Sequence, residues 1–262
     1  MENCGLYLAK MRQTAPLVQN ITNYVSMNVM ANVMLAAGAS PAMVHAREEA
    51  AEFAGFTSAL SINIGTLSSD WVEAMLSAAE VASKRGIPWV FDPVAAGATA
   101  FRRKTSEQIM ALHPTIVRGN ASEILALAGA IGTGKGVDSS DGVAAAEDGA
   151  KRLAKASGAV VAVTGPVDFV TDGRESYRVA NGHAMMPLVT ALGCSLTGVV
   201  AAFAVGQAPL NATVAALAYY GLAGEHAGRT AIGPGSFQVA FIDALHNLMP
   251  VQISLGAKVT SA

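Results

Sequence analysis

Short apolar runs bounded by turn residues alternate along the chain with longer stretches of helical periodicity. Ala59–Ile64 (ALSINI) reads as a strand, and the segment from Leu67 to near Gly86 as a helix. Pro88–Phe91 predicts a second strand, closed by Asp92-Pro93. Thr115–Val117 predicts a third, which passes at once through Gly119-Asn120 into a helix over Ser122–Leu127. Ser139, Ser140 and Asp141 make a polar cap for a helix over Gly142–Ala156, and Ala159–Val163 follows as a fourth strand. Phe169-Val170 and Tyr177–Val179 flank Asp172-Gly173, a hairpin signal. From Gly193 to about Asn247 the pattern is helical. Strands alternating with helices predict crossover units and a mostly parallel sheet, with several helices last. In such sheets ligands sit beyond the carboxyl ends of the strands. Gly65-Thr66, Asp92-Pro93, Arg118-Gly119-Asn120 and Thr164-Gly165 all fall there.

Composition narrows the class. With 17 basic and 19 acidic side chains the net charge is -2, which excludes a general nucleic-acid binder because no basic excess is present to release counterions. Charged residues make up 14%, against roughly 25% in soluble domains. Hydrophobic residues reach 52% while aromatics are 6%, so the excess is aliphatic. That excludes disorder and suits closely packed helices on a sheet. It also leaves little charge for the outer surface, which predicts an oligomer. The 262 residues are compatible with one α/β domain over residues 1–262. Cys4 and Cys194 are too few for a disulfide framework. Met1-Glu2-Asn3-Cys4 shows no basic stretch followed by an apolar one, so no secretory signal is expected, and Leu196–Val205, the most apolar stretch, is shorter than the about 20 residues of a membrane span. A cytoplasmic location is expected, and Asn-x-Ser/Thr triplets at Asn20, Asn120 and Asn211 then carry no meaning.

Several residues suggest chemistry. Gly129–Gly136 matches a phosphate loop up to its last place, where Gly136 replaces the hydroxyl that would bind magnesium; it also follows a helix, and reads as a surface turn. Gly193-Cys194 opens a long helix of small residues, whose free N–H groups and positive dipole end favour an anion such as phosphate. A cysteine in that first turn is expected to have a depressed pKa and to act as base or nucleophile, or else to be an inert, packed residue. Asp92 and Glu123 suit magnesium carried with nucleotide phosphates; alternatively Asp92 caps a turn and Glu123 caps Asn120. Arg118, at a strand end, can pair with phosphate. Met43 would by default fill a core gap. None of the 5 histidines stands four residues from another, His183 follows a turn pair and is expected to be exposed, and no G-x-S-x-G hydrolase elbow occurs.

Pro16–Asn23 (PLVQNITN), Leu35–Met43 (LAAGASPAM), Asn63–Leu67 (NIGTL), Asp92–Gly97 (DPVAAG), Arg118–Glu123 (RGNASE), Val163–Gly165 (VTG), Gly193-Cys194 and Gly233–Phe237 (GPGSF) together resemble the hydroxyethylthiazole kinase family of the ribokinase-like superfamily. The likeness runs in order from about residue 10 to residue 248. It implies a three-layer α/β/α fold and transfer of the ATP γ-phosphoryl to the primary alcohol of hydroxyethylthiazole in thiamine salvage. It also implies magnesium, and a homotrimer with active sites between subunits. By matching motif, Cys194 stands where most of the superfamily has an aspartate base. Arg118, Thr164 and Gly193 fall at ATP contacts, and Asp92 and Glu123 near the metal. Asn23, Met43 and Ala191 fall at the thiazole pocket. Two departures stand out: Ala191 replaces a glycine of the usual Thr-Gly-x-Gly-Cys, and Ala95 a glycine of Asp-Pro-Val-Gly-x-Gly. A kinase for another hydroxyalkyl heterocycle, such as hydroxymethylpyrimidine, keeps the same fold, and Ala191 lends it weight. A nucleotide-binding protein without turnover is set against intact Asp92, Glu123 and Cys194, and a cysteine hydrolase lacks a placed histidine.

Overall fold

A computed structural model of the chain describes residues 3–131 and 142–262. The amino-terminal part runs α1 (Cys4–Thr14), β1 (Leu17–Ile21), α2 (Met27–Ala37), β2 (Ser40–Ala42), α3 (Ala50–Ala54) and β3 (Ala59–Asn63). The middle continues through α4 (Ser69–Arg85), β4 (Trp89–Asp92), α5 (Ala100–Met110), β5 (Ile116–Asn120), α6 (Ala121–Ile131), α7 (Gly142–Ser157) and β6 (Val160–Thr164). The hairpin β7 (Asp168–Thr171) and β8 (Ser176–Val179) precedes α8 (Leu192–Ala204), α9 (Pro209–Gly228), α10 (Pro234–Asn247), α11 (Pro250–Gly256) and a closing strand, β9 (Val259–Ser261).

All the strands join one 9-stranded sheet in the order β2-β1-β3-β4-β5-β6-β7-β8-β9. Pairings from β2 through β6 are parallel and those from β6 through β9 antiparallel. The central parallel strands β3, β4 and β6 are buried on both faces, the reason their sequences are largely apolar without alternation. Successive residues still part company. Val90, Ile116, Val160 and Ala162 face a core shared with α1, α2, α8, α9 and α10. Trp89, Phe91, Val117, Val161 and Val163 face a second core with α4, α6 and α7. Three layers follow directly, as in ribokinase-like folds.

Local signals set the helix limits. The Ser68 hydroxyl accepts from the Trp71 N–H, and Gly86 ends α4 in a left-handed conformation with φ 66°, so the helix starts two residues later than its pattern alone suggests. The hairpin falls where Asp172-Gly173 placed it, with Gly173 at φ 87°. Two features differ from the sequence expectation: the segments before Ala59 supply the sheet edge β2-β1, and β9 returns to the sheet after the last helices by pairing with β8. The remainder of the near phosphate loop beyond Ile131, and the polar cap at Ser139–Asp141, lie outside the described residues.

Candidate active site

The carboxyl ends of β1, β3, β4, β5 and β6 deliver Asn23, Asn63, Asp92, Arg118 and Thr164 to one edge of the sheet, and α8 begins above them. Register puts Asn63 directly beside Asp92. A continuous chain of hydrogen bonds joins these side chains. Asn23 Nδ2 donates to Cys194 Sγ at 3.3 Å and to Asn63 Oδ1 at 2.8 Å. Asn63 Nδ2 donates to Asp92 Oδ2 at 2.7 Å, and Thr197, one turn along α8, donates to the same oxygen at 2.8 Å. Arg118 donates to Asp92 Oδ2 at 3.4 Å through Nη1 and to Thr164 Oγ1 at 2.6 Å through Nη2. Space is tight here: a Cβ on Gly65 would lie 2.7 Å from Asn23 Nδ2. Arg102 braces the outer turns, donating to Val94 O at 2.8 Å and Gly65 O at 2.7 Å.

Asp92 is 1% exposed and its Oδ1 is sealed from solvent with no hydrogen-bond donor among the described residues. Burial raises its pKa, opposed by Arg118, Thr197 and Asn63, while Glu123 adds to the rise. An orphaned carboxylate oxygen in the field of a second carboxylate is the hard-oxygen chemistry that suits a magnesium ion carried with phosphates. Glu123 is half-buried. Its Oε2 accepts from the Asn120 N–H at 2.8 Å and Asn120 Oδ1 accepts from the Glu123 N–H at 3.0 Å, the reciprocal cap read from Asn-x-x-Glu. Its Oε1 accepts from the Ala95 N–H at 3.0 Å, so this carboxylate also fixes the turn after Asp92.

The expectation of an activated thiol needs correction. Cys194 occupies the first turn of α8, but its pKa is raised: burial leads, the Asp92 carboxylate adds to it, and Asn23, Arg118 and Asn63 only partly oppose them. The protonated thiol is the resting form at neutral pH. His183 departs from expectation too. It is half-buried, with its ring stacked on Phe237 at 5.6 Å, and it lines a cleft.

That cleft, about 590 Å³, extends from Arg118, Thr164 and Gly193 to Asp168, His183, Leu217 and Tyr220. Gly193 sits against the Arg118 guanidinium, 3.5 Å from where its Cβ would be. No side chain caps the start of α8, which leaves backbone N–H groups for an anion. Tyr220 anchors this turn by donating to Leu192 O at 2.8 Å. Asp168 is 9% exposed; its Oδ1 accepts from the Gly165 N–H at 2.9 Å, and burial lifts its pKa from 3.8 to about 6 against the pull of that N–H and Arg118.

Met43 follows β2, next to β1 in the sheet, and packs half-buried against the core on the α8 side. Ala191 caps α8 at φ 66°, and Ala95 stands at φ 53°. Both departures from the family's glycine pattern therefore occupy left-handed backbone, where an alanine is strained. Sequence reasoning quoted Asn63 within a motif without a role, although its place at a strand end was the signal used for its neighbours. It carried Thr197 only as part of the small-residue helix after Gly193, and missed Asp168 altogether. It also missed an aromatic group beside Asn23, in which His45 stacks on Trp71 at 4.6 Å and Tyr24 meets Trp71 edge-on at 4.4 Å.

A mostly parallel sheet between helical layers, an uncapped helix start facing an arginine, and a nucleotide-sized cleft beside a buried carboxylate define a ribokinase-like small-molecule kinase. Solved structures bear out the fold. A pyridoxal kinase from Staphylococcus aureus is similar at TM-score 0.66 and 16% identity, over 95% of this chain and 99% of that one. The hydroxyethylthiazole kinase of Pyrococcus horikoshii OT3 is similar at TM-score 0.93 and 41% identity over 100% of both chains. A model of the "Hydroxyethylthiazole kinase family" matches residues 8–250. Enzymes of that name from Cereibacter sphaeroides (strain ATCC 17025 / ATH 2.4.3) and Rhizobium rhizogenes (strain K84 / ATCC BAA-868) are similar at 66% and 58% identity. The first comparison covers 100% of both sequences, the second 98% of this chain and 97% of the relative. This chain belongs to the hydroxyethylthiazole kinase family.

Proposed function

We propose that the chain transfers the γ-phosphoryl group of ATP to the primary hydroxyl of 4-methyl-5-(2-hydroxyethyl)thiazole, a step of thiamine salvage. The observation that carries this reading is the hydrogen-bonded chain from Thr164 and Arg118 through Asp92 and Asn63 to Asn23 and Cys194. It links a cleft suited to a nucleotide with a thiol at the acceptor end. Phosphoryl transfer asks for positioning and charge neutralisation more than covalent work. Arg118, Thr164 and the N–H groups around Gly193 hold phosphate oxygens. Asp92, through Oδ1, and Glu123, through solvent, would hold a magnesium ion, which supplies charge neutralisation on the phosphates when bound. Asn23, Met43 and Ala191 border the thiazole. Cys194, kept as a thiol by its surroundings, places the hydroxyl in line rather than removing its proton. Cys194→Ala is then expected to lose less than about 100-fold in kcat, because general-base removal costs about 100- to 10,000-fold; a loss in that higher range would restore the base assignment.

The same reading makes the chain a single-domain, cytoplasmic homotrimer with active sites between subunits. Its support is apolar surface next to the acceptor end: Tyr24 and Val25, directly after Asn23, are 67% and 59% exposed, and Leu35 on the following helix is 61% exposed. No helix among the described residues is long and apolar enough to cross a membrane. The test is ADP production from magnesium-ATP with and without hydroxyethylthiazole. Thiazole-dependent release is expected. Its absence in folded protein that binds ATP would shift the acceptor to another alcohol, such as hydroxymethylpyrimidine, for which the Ala191 methyl is the supporting feature.

A further inference from the structure

Asp168 is an anomaly in the cleft proposed for the nucleotide. It begins β7, which runs antiparallel to β6, so it returns to the edge that Thr164 has just reached. A carboxylate beside a phosphate-holding arginine repels the ligand the cleft is built for, and burial makes its ionised form costly. One oxygen has a structural use: Oδ1 accepts from the Gly165 N–H and closes the β6–β7 turn. The other does not. Oδ2 has no donor among the described residues, is not sealed from solvent, and belongs to a residue that lines the cleft.

Position decides what such an oxygen can meet. Across the sheet the cleft passes from Arg118 on β5 to Thr164 on β6, Asp168 on β7 and Asn181 after β8. Away from Gly193 the lining includes apolar Leu217 and Met186, a surface suited to a flat base. Between the phosphate end and the base end lies the sugar, whose hydroxyls are the nucleotide's donors at that point. Phosphate oxygens only accept, and the base amine lies farther along the apolar wall. We propose that Asp168 Oδ2 accepts a hydrogen bond from a sugar hydroxyl of the nucleotide and makes this enzyme selective for ribonucleotides. This inference rests on the nucleotide reading of the cleft.

The test compares the KM of ATP and of 2′,3′-dideoxy-ATP for the wild type, Asp168→Asn and Asp168→Ala. The wild type is expected to favour ATP on the order of 10-fold, the range of a hydrogen bond to a charged acceptor. Asp168→Ala brings that ratio close to unity by raising the KM of ATP, and Asp168→Asn, which keeps an acceptor for the Gly165 N–H, lowers it partway. A purely structural turn residue would weaken both nucleotides alike. A ratio unchanged from wild type in both variants, or no preference in the wild type, overturns the assignment. Wild-type protein that binds neither nucleotide would instead overturn the nucleotide reading beneath it.

Discussion

Replacing Asp168 by asparagine also has a consequence for stability that depends on pH. The variant removes the charge and keeps an acceptor for the Gly165 N–H. In the folded wild type, burial holds the carboxyl at about 6 instead of 3.8. The folded chain thus binds this proton more tightly than the unfolded chain does. The stability contributed by the protonated form is complete below the unfolded value and is lost as pH rises through about 6. Each pH unit between the two values is worth about 1.36 kcal/mol, so the ionised carboxylate costs up to about 3 kcal/mol at alkaline pH. Asparagine stands in for the protonated acid. Asp168→Asn should therefore be more stable than wild type by roughly 1–3 kcal/mol near pH 8 and within about 0.5 kcal/mol of it near pH 4. Urea unfolding of both proteins at these two pH values and one protein concentration measures the difference. A variant that is no more stable at pH 8, or equally displaced at both pH values, would refute the reasoning.

Two further substitutions test the geometry. Ala191→Gly and Ala95→Gly each relieve a left-handed alanine worth about 1–2 kcal/mol, less about 0.4–1 kcal/mol of added unfolded-state freedom. A small rise in urea midpoint is expected for each; a fall would mean that these turns relax without strain. Asn63→Ala removes one donor from Asp92 and leaves the Gly65 N–H without its acceptor inside a buried network. A loss of roughly 2–4 kcal/mol is expected from such unpaired groups, together with lower kcat, and a loss under about 1 kcal/mol would show that the network is dispensable.

Much of the edge that carries the site was legible in the chain, because a buried parallel strand is a continuous apolar run and its carboxyl end is the first polar residue after it. Asp92, Arg118 and Thr164 were found that way, and Glu123 through the short spacing that lets its side chain cap Asn120. The strands at either margin of the sheet were harder. The short strand Ser40–Ala42, with Pro41 at its centre, and the late strand Val259–Ser261 carry no periodic signal of their own and form because a neighbouring strand offers them hydrogen bonds.

The sequence by itself determined the alternation of central strands and helices from Ala59 to Val163, the layered class, the turns that end those strands, and the family, because each of those signals lies in residues close together in the chain. Only the tertiary structure decided the state of Cys194 and the role of Asp168. Local position at a helix start lowers a thiol's pKa, yet partial burial and the Asp92 carboxylate, 102 residues away in the chain, outweigh it. Asp168 gains its meaning from a strand reversal that brings it back beside Thr164. Burial and the field of distant charges are sums over neighbours that the fold assembles, and no stretch of sequence contains them.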